Sequence, residues 1–172
     1  MFKYYSSLGE KAFEQLSEAE LNQIIANENN SIVMIVRHLS GNMLSRWTDF
    51  LHSDGEKSFR DRDNEFQEIA LSKEEMLKSW HTGWNCTFEA LESLSEADLS
   101  KIVYIRNEGH TVLQAIIRQL AHYSYHVGQI VLLAKMIKKE NWQSLSIAKD
   151  RSKDYNDLKF GEEKSDGFFV GK

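Results

Sequence analysis

Two histidines, His122 and His126, stand four residues apart. In a helix that spacing stacks both imidazoles on one face, where their ring nitrogens can share one metal ion. A third ligand from another helix would complete a half-open site, and His38 is the best candidate. On a helical wheel it lies to one side of the aliphatic stripe of its own segment, next to Ile35, Asn42 and Ser45. A zinc-protease centre is excluded, because that motif needs a glutamate directly after the first histidine and Tyr123 stands there. A plainer reading stays open, in which the run from His122 to His126 makes hydrogen bonds inside a semi-polar core. Asn42 lies one turn from His38, and Gln119 and Gln129 lie one turn from His122 and His126. These amides can orient ligands or a substrate, or simply pack helices. No carboxylate adjoins the three histidines in sequence.

The remaining reactive types read as structural. His52, His81 and His110 fall at a helix end, on a helix surface and at a helix start, each without partners for a metal. Cys86 lies within a helix with no base nearby and reads as a packed thiol. Arg60-Asp61-Arg62-Asp63 with Glu65 reads as a solvated, internally neutralised loop rather than an anion-binding rim. Trp47, Trp80 and Trp84 recur at helical spacing and belong to the core.

Helices must position these groups. The chain has no proline, which long uninterrupted helices explain, since proline removes an amide donor and clashes with the preceding turn. Phe2, Tyr5, Leu8, Ala12, Phe13 and Leu16 recur at three- and four-residue steps, predicting a first helix from Phe2 to Leu16. Ser17 with Glu20 is a capping box restarting a short turn. After the polar break Asn27 to Asn30, Asn30 or Ser31 caps a second helix with the stripe Ile32, Val36, Leu39, Met43, Trp47 and Phe50. Its end is expected at His52 to Gly55, where the glycine permits a left-handed stop. A charged connection, Glu56 to Leu71, leads to Ser72 and Glu75, a capping box opening a third helix to about Leu94. Ile102 to Ile105, closed by Asn107-Glu108-Gly109, forms a small hairpin or an extended link. The fourth helix runs from His110 or Thr111 to about Lys139; as the most apolar segment it is expected at the centre. From Ser144 the pattern is polar and aperiodic, an extended tail frayed at its end, so residues 1–143 form the domain and 144–172 the tail.

Composition sets the limits. A chain of 172 residues with 41% hydrophobic and 27% charged residues can build one core. Its net charge of -5 disfavours a nucleic-acid binder. No apolar run reaches the roughly 20 residues a membrane helix needs, no secretory leader opens the chain, and a single cysteine suits a cytoplasmic location.

The strings Asn30-Ser31-Ile32, Arg37 to Met43, Arg46 to Leu51, Asp54 to Lys57, Arg60 to Phe66, Arg118 to Ile130 and Ser144 to Ile147 resemble the DinB-like superfamily. More narrowly they are similar to a branch of uncharacterised bacterial proteins within it. The likeness runs from about Leu8 to Asn156. It implies an all-α fold, a four-helix bundle of up-down-down-up topology, for which Glu56 to Leu71 is the long return connection. Carried over position by position, it implies that His38, His122 and His126 bind a divalent metal such as Zn²⁺ or Ni²⁺. It further implies a homodimer and a metal-dependent transferase of a low-molecular-weight, bacillithiol-like thiol. A hydrolase is an equally natural use of three neutral ligands with an open position. The alternative is a non-catalytic metal-containing scaffold acting through dimerisation or a partner. The family's usual proline and glycine after Ser-Leu-Ser-Ile are replaced by Ala148-Lys149-Asp150, which leaves the tail's path open.

Overall fold

A computed structural model describes residues 1–26 and 29–164. The tail end expected to fray, and the start of the break at Asn27, lie outside them. Among the described residues the fold is all-α apart from one hairpin. In order come α1 (Phe2–Glu14), α2 (Glu18–Asn22), α3 (Ile32–Trp47), α4 (Arg62–Glu65), α5 (Lys73–Glu92), β1 (Ile102–Ile105), β2 (Glu108–Thr111), α6 (Val112–Lys138) and α7 (Ser152–Phe160).

Starts follow the capping chemistry. Ser17 with Glu20 and Ser72 with Glu75 exchange the reciprocal bonds of a capping box, and Thr111 with Gln114 does the same for α6. Ser31, not Asn30, caps α3; its hydroxyl accepts from the Met34 amide at 3.2 Å, while the Met34 sulfur takes the Ser31 amide. Stops are less obedient. α3 ends at Trp47, well before Gly55, because Asp49 takes the positive φ of 49° and its carbonyl collects the amides of His52 and Ser53. Gly55 has no positive φ. It instead sits close under Ile105 and Arg46, passing its amide to Tyr104 and thereby tying the connection to the hairpin. The hairpin itself turns through Arg106 and Asn107, both at positive φ. Asp54 accepts both of their amides at 2.9 Å.

Packing corrects the expected centre. α3 is buried at 13 of its 16 residues, whereas α6 buries only Val112, Ala115, Gln119, Tyr123, Val127, Ile130 and Ala134 of its 27. Apolar content is therefore a poor guide here: α6 spends much of its hydrophobic surface on the outside. α3 packs on α5 and α6, and α1 packs on α6. The end of α1 meets the start of α5, where Lys73 Nζ donates to the carbonyls of Phe13 and Leu16 at 2.7 and 2.8 Å. It also meets the end of α6, where Gln15 and Gln143 exchange bonds at 2.9 and 3.1 Å. The main core joins Phe13, Leu39, Met43, Met76, Trp80, Trp84 and Tyr123. A smaller one under the hairpin joins Val103, Ile105, Val112 and Ala115.

Trp142 and Leu145 still pack on the main core. Beyond them the tail is not extended throughout, for α7 occupies Ser152–Phe160. Local pairs hold it, Arg151 with Asp154 at 2.8 Å and Lys159 with Glu162 at 2.6 Å, which is why no apolar period announces it.

Candidate metal centre

The three histidines meet between α3 and α6. His122 Nε2 lies 3.3 Å from His38 Nε2 and 3.1 Å from His126 Nε2. All three nitrogens fall within 4.8 Å of one another. Two nitrogens bound to one tetrahedral zinc at roughly 2.0–2.1 Å stand about 3.3 Å apart, the spacing that both pairs sharing His122 have.

What lies behind the rings decides which nitrogens are free. His38 Nδ1 donates to Glu65 Oε2 at 2.9 Å, and His126 Nδ1 donates to Gln129 Oε1 at 2.8 Å. A neutral imidazole carries one proton, so both Nε2 atoms keep their lone pairs and aim them at the shared focus. His122 can offer a proton to only one of two facing lone pairs, a mismatch that a cation would resolve. Burial, reinforced by the neighbouring rings and by the Arg60 and Arg118 charges, pushes His122 down to about 3. His126 is lowered as well, by burial and then by His38. Neutral rings are the metal-binding form.

Glu65 is the residue that sequence reasoning missed. It comes from α4, inside the connection read as a solvated loop, and it is buried together with Arg60, whose side chain is only 2% exposed. Arg60 grips both carboxylate oxygens, at 2.8 Å from Nε and 3.0 Å from Nη2. Although burial alone would raise the Glu65 carboxyl, the His38 and Arg60 bonds outweigh it and hold the group below its ordinary value. The network continues: Arg60 lies 3.6 Å from Glu56, which also pairs with the buried Arg46 at 3.2 Å and the exposed Arg106 at 3.3 Å. Arg37 fastens α4 from the other side, donating to the backbone carbonyls of Gln67 and Asn64. Phe66 covers the His38 ring at 4.8 Å, and Arg62 lies over the Phe66 ring. Of the charged run, only Asp61, Arg62 and Asp63 are exposed.

One sequence signal did point here. Gly41 lies in the interior of α3, three residues after His38, and a Cβ added there would come within 2.9 Å of the Glu65 carboxyl carbon and closer still to Oε1. A glycine in a helix interior marks a close approach, and the group approaching is the carboxylate.

The three amides divide. Gln129 supports His126, and its own amide nitrogen donates to Tyr125 Oη at 3.0 Å. Asn42 and Gln119 touch no histidine by hydrogen bond; they are buried, and Oδ1 of Asn42 and Oε1 of Gln119 have no partner. Trp47, Trp80 and Trp84 are core, and Trp47 Nε1 donates to Tyr123 Oη at 2.9 Å. Burial pushes the Cys86 thiol up, which fits an unreactive role. His81 pairs with Glu10 at 3.3 Å on the surface, away from the three rings.

A family described as "Protein of unknown function (DUF1572)" matches residues 1–151, which include every residue of the site. No curated protein matches. No helix among the described residues is long and apolar enough to cross a membrane.

Proposed function

We propose that this chain, which belongs to the DUF1572 family, is a divalent-metal protein whose site is formed by His38, His122 and His126. The observation that carries the reading is the convergence of three imidazole Nε2 atoms, two of them fixed as lone-pair donors from behind.

The arrangement around it is an up-down-down-up four-helix bundle of the DinB-like kind over residues 1–143, with 144–172 as an appended tail. Support comes from the ends that meet. α1 finishes where α5 begins and where α6 finishes. His38 and Arg46 of α3 face His122 and the Arg118 charge of α6 in reverse order. So α3 and α5 run one way and α1 and α6 the other, and the connection carrying α4 returns the chain between the parallel pair.

Zn²⁺ or Ni²⁺ held by three neutral nitrogens would keep an open position at which a water or thiol loses its proton near neutral pH. The chain's own residues set the conditions. His38 would bind through Nε2 because its Nδ1–H donates to Glu65, and an anionic partner behind the ring makes Nε2 a stronger ligand. Glu65 cannot serve as a mobile base, since Arg60 and His38 occupy its oxygens. Asn42 lies one turn along α3 from His38, and Gln119 one turn along α6 from His122; in antiparallel helices both fall on the same side of the rings. Their unpaired oxygens are positioned to receive a donor from a group seated there. The activity that fits is a thiol S-transferase or a hydrolase in the cytoplasm, acting on a small molecule.

Metal content by elemental analysis of untagged protein tests this. Near-stoichiometric metal in the wild type and none in His122→Ala is expected. No metal in either, after Zn²⁺ or Ni²⁺ is supplied, would overturn the reading. Loaded protein inert across panels of thiols with electrophiles and of hydrolase substrates would leave a metal-containing scaffold.

A further inference from the structure

The chain has seven arginines, and six of them answer a carbonyl, a carboxylate or an aromatic ring. Among the described residues Arg118 alone answers none: it is exposed and makes neither a hydrogen bond nor an ion pair. Its place on α6 gives this weight. Arg118 stands four residues before His122 and Gln119 three before it, so both lie one turn from that ring, towards the start of the helix. The Arg118 charge acts on His122 of its own helix and also on Arg46 of α3, so it lies on the side of α6 that looks towards α3.

Charge and hydrogen bonding are both unbalanced there. Glu56 and Glu65, the carboxylates of the network, already answer Arg46, Arg60 and Arg106. Arg118 adds a positive charge with no counterpart, and a divalent ion at the rings would add two more, in a chain whose net charge is -5. One turn from the rings, Asn42 Oδ1 and Gln119 Oε1 are buried without partners, and a turn further along α3 Arg46 Nε is buried unpaired as well. Buried polar atoms are paired as a rule, so a group of unpaired ones marks the place of a polar occupant. A side-chain amide can turn either its carbonyl or its NH₂ towards that occupant.

We infer that the substrate of the histidine site carries a carboxylate, and that the Arg118 guanidinium binds it one helical turn from the reacting group. The inference rests on the metal reading above and names the substrate class for it. A guanidinium with no other partner offers parallel N–H donors that match the two oxygens of a planar carboxylate, whereas a tetrahedral oxoanion leaves an oxygen unanswered. One turn is about 5.4 Å along the axis, so two or three carbons separate the carboxylate from the atom that meets the ion. Asn42 and Gln119 flank that short chain. Because Arg118 is exposed, the carboxylate stays at the solvent edge and the reacting end enters first.

Cobalt-loaded, full-length protein reads this through the thiolate-to-cobalt absorption band that a bound thiol produces. The probes are 3-mercaptopropionate, its methyl ester and 2-mercaptoethanesulfonate, titrated into the wild type and into Arg118→Gln. The variant has no hydrogen bond or ion pair to lose, so it should fold and take up cobalt as the wild type does. The preference for the acid over the ester is expected to be about 10-fold larger in the wild type than in Arg118→Gln, a comparison in which the different acidities of the two thiols cancel. An equal preference in both proteins overturns the inference, because the ion would then be chelating the carboxylate by itself. Sulfonate bound more tightly than the acid in the wild type, and not in the variant, overturns the carboxylate in favour of a tetrahedral oxoanion. Both of these outcomes leave the metal in place. A wild type that takes up no cobalt overturns the metal reading, and this inference with it.

Discussion

Two regions of this molecule bury side chains by opposite rules. Where α1, α5 and the inner side of α6 meet, the contacts are aromatic edges: Phe13 meets Trp80 at 5.0 Å, Trp80 meets Trp84 at 5.6 Å, and Trp84 meets Tyr123 at 5.6 Å. Between α3 and α6 the contacts around the three rings are imidazoles, amides and guanidiniums, with Asn42 Oδ1, Arg46 Nε and Gln119 Oε1 unpaired; the aromatic region leaves only the Trp80 and Trp84 indole nitrogens unpaired, on side chains that bury far more apolar area. Each large ring buried in the first region stabilises the fold by a few kcal/mol, whereas each unpaired buried oxygen in the second costs roughly 1–3 kcal/mol. The aromatic half supplies the rigidity against which three rings can be held with more lone pairs than protons facing one another.

The sharpest break should come from the aromatic side. Trp80→Ala is expected to lower stability by about 3–5 kcal/mol in urea unfolding, while the protein that remains folded keeps its metal stoichiometry. The reverse pattern is expected from His122→Ala, which should abolish retained metal and leave metal-free stability within about 1 kcal/mol of wild type. If both properties fell together in either variant, the two regions would not be separable. Glu65→Gln should weaken metal binding about 10- to 100-fold, measured by competition with a chromophoric chelator, because it removes the charge behind His38 and keeps the shape.

Acid should find the polar region first. Unfolded imidazoles take up protons near 6.5, but His122 does so only at about 3 and His126 is also lowered. The unfolded chain therefore binds more protons across that window, and the metal-free protein should lose stability progressively as pH falls below about 6.5. A midpoint independent of pH between 7 and 5 would show that the rings are not held neutral by burial. The smallest effect is expected at Asn42→Leu, neutral or stabilising by about 1 kcal/mol in thermal unfolding of the metal-free protein. A large loss there would mean that the amide is already satisfied.

Local chemistry made much of this legible from sequence. Ser17, Ser72 and Thr111 begin helices because their side chains answer amides within three residues, and nothing distant is needed to read that. His122 and His126 share a face for the same reason. Glu65 was hidden because its partner His38 is 27 residues away and the intervening connection is built of charges that look solvated. The expectation that α6 would be the central helix failed because apolar content counts surface, not where it is spent. α3, with His38, Asn42 and Arg46 among its buried positions, is the more enclosed helix although it is the more polar of the two. The early stop of α3 depended on Asp49 adopting a backbone angle that sequence assigns to Gly55.

Gly41 carries a consequence for inheritance. Any side chain at that position displaces the Glu65 carboxylate, and with it the hydrogen bond to His38 and the grip of Arg60. The two sites therefore cannot drift independently: a lineage that acquires alanine at 41 gains a better helix former and forfeits the anion, after which glutamate at 65 has nothing to conserve it. Glycine at 41 with glutamate at 65, gained or lost as a pair across relatives, is the mark that selection would leave on a helix kept deliberately imperfect.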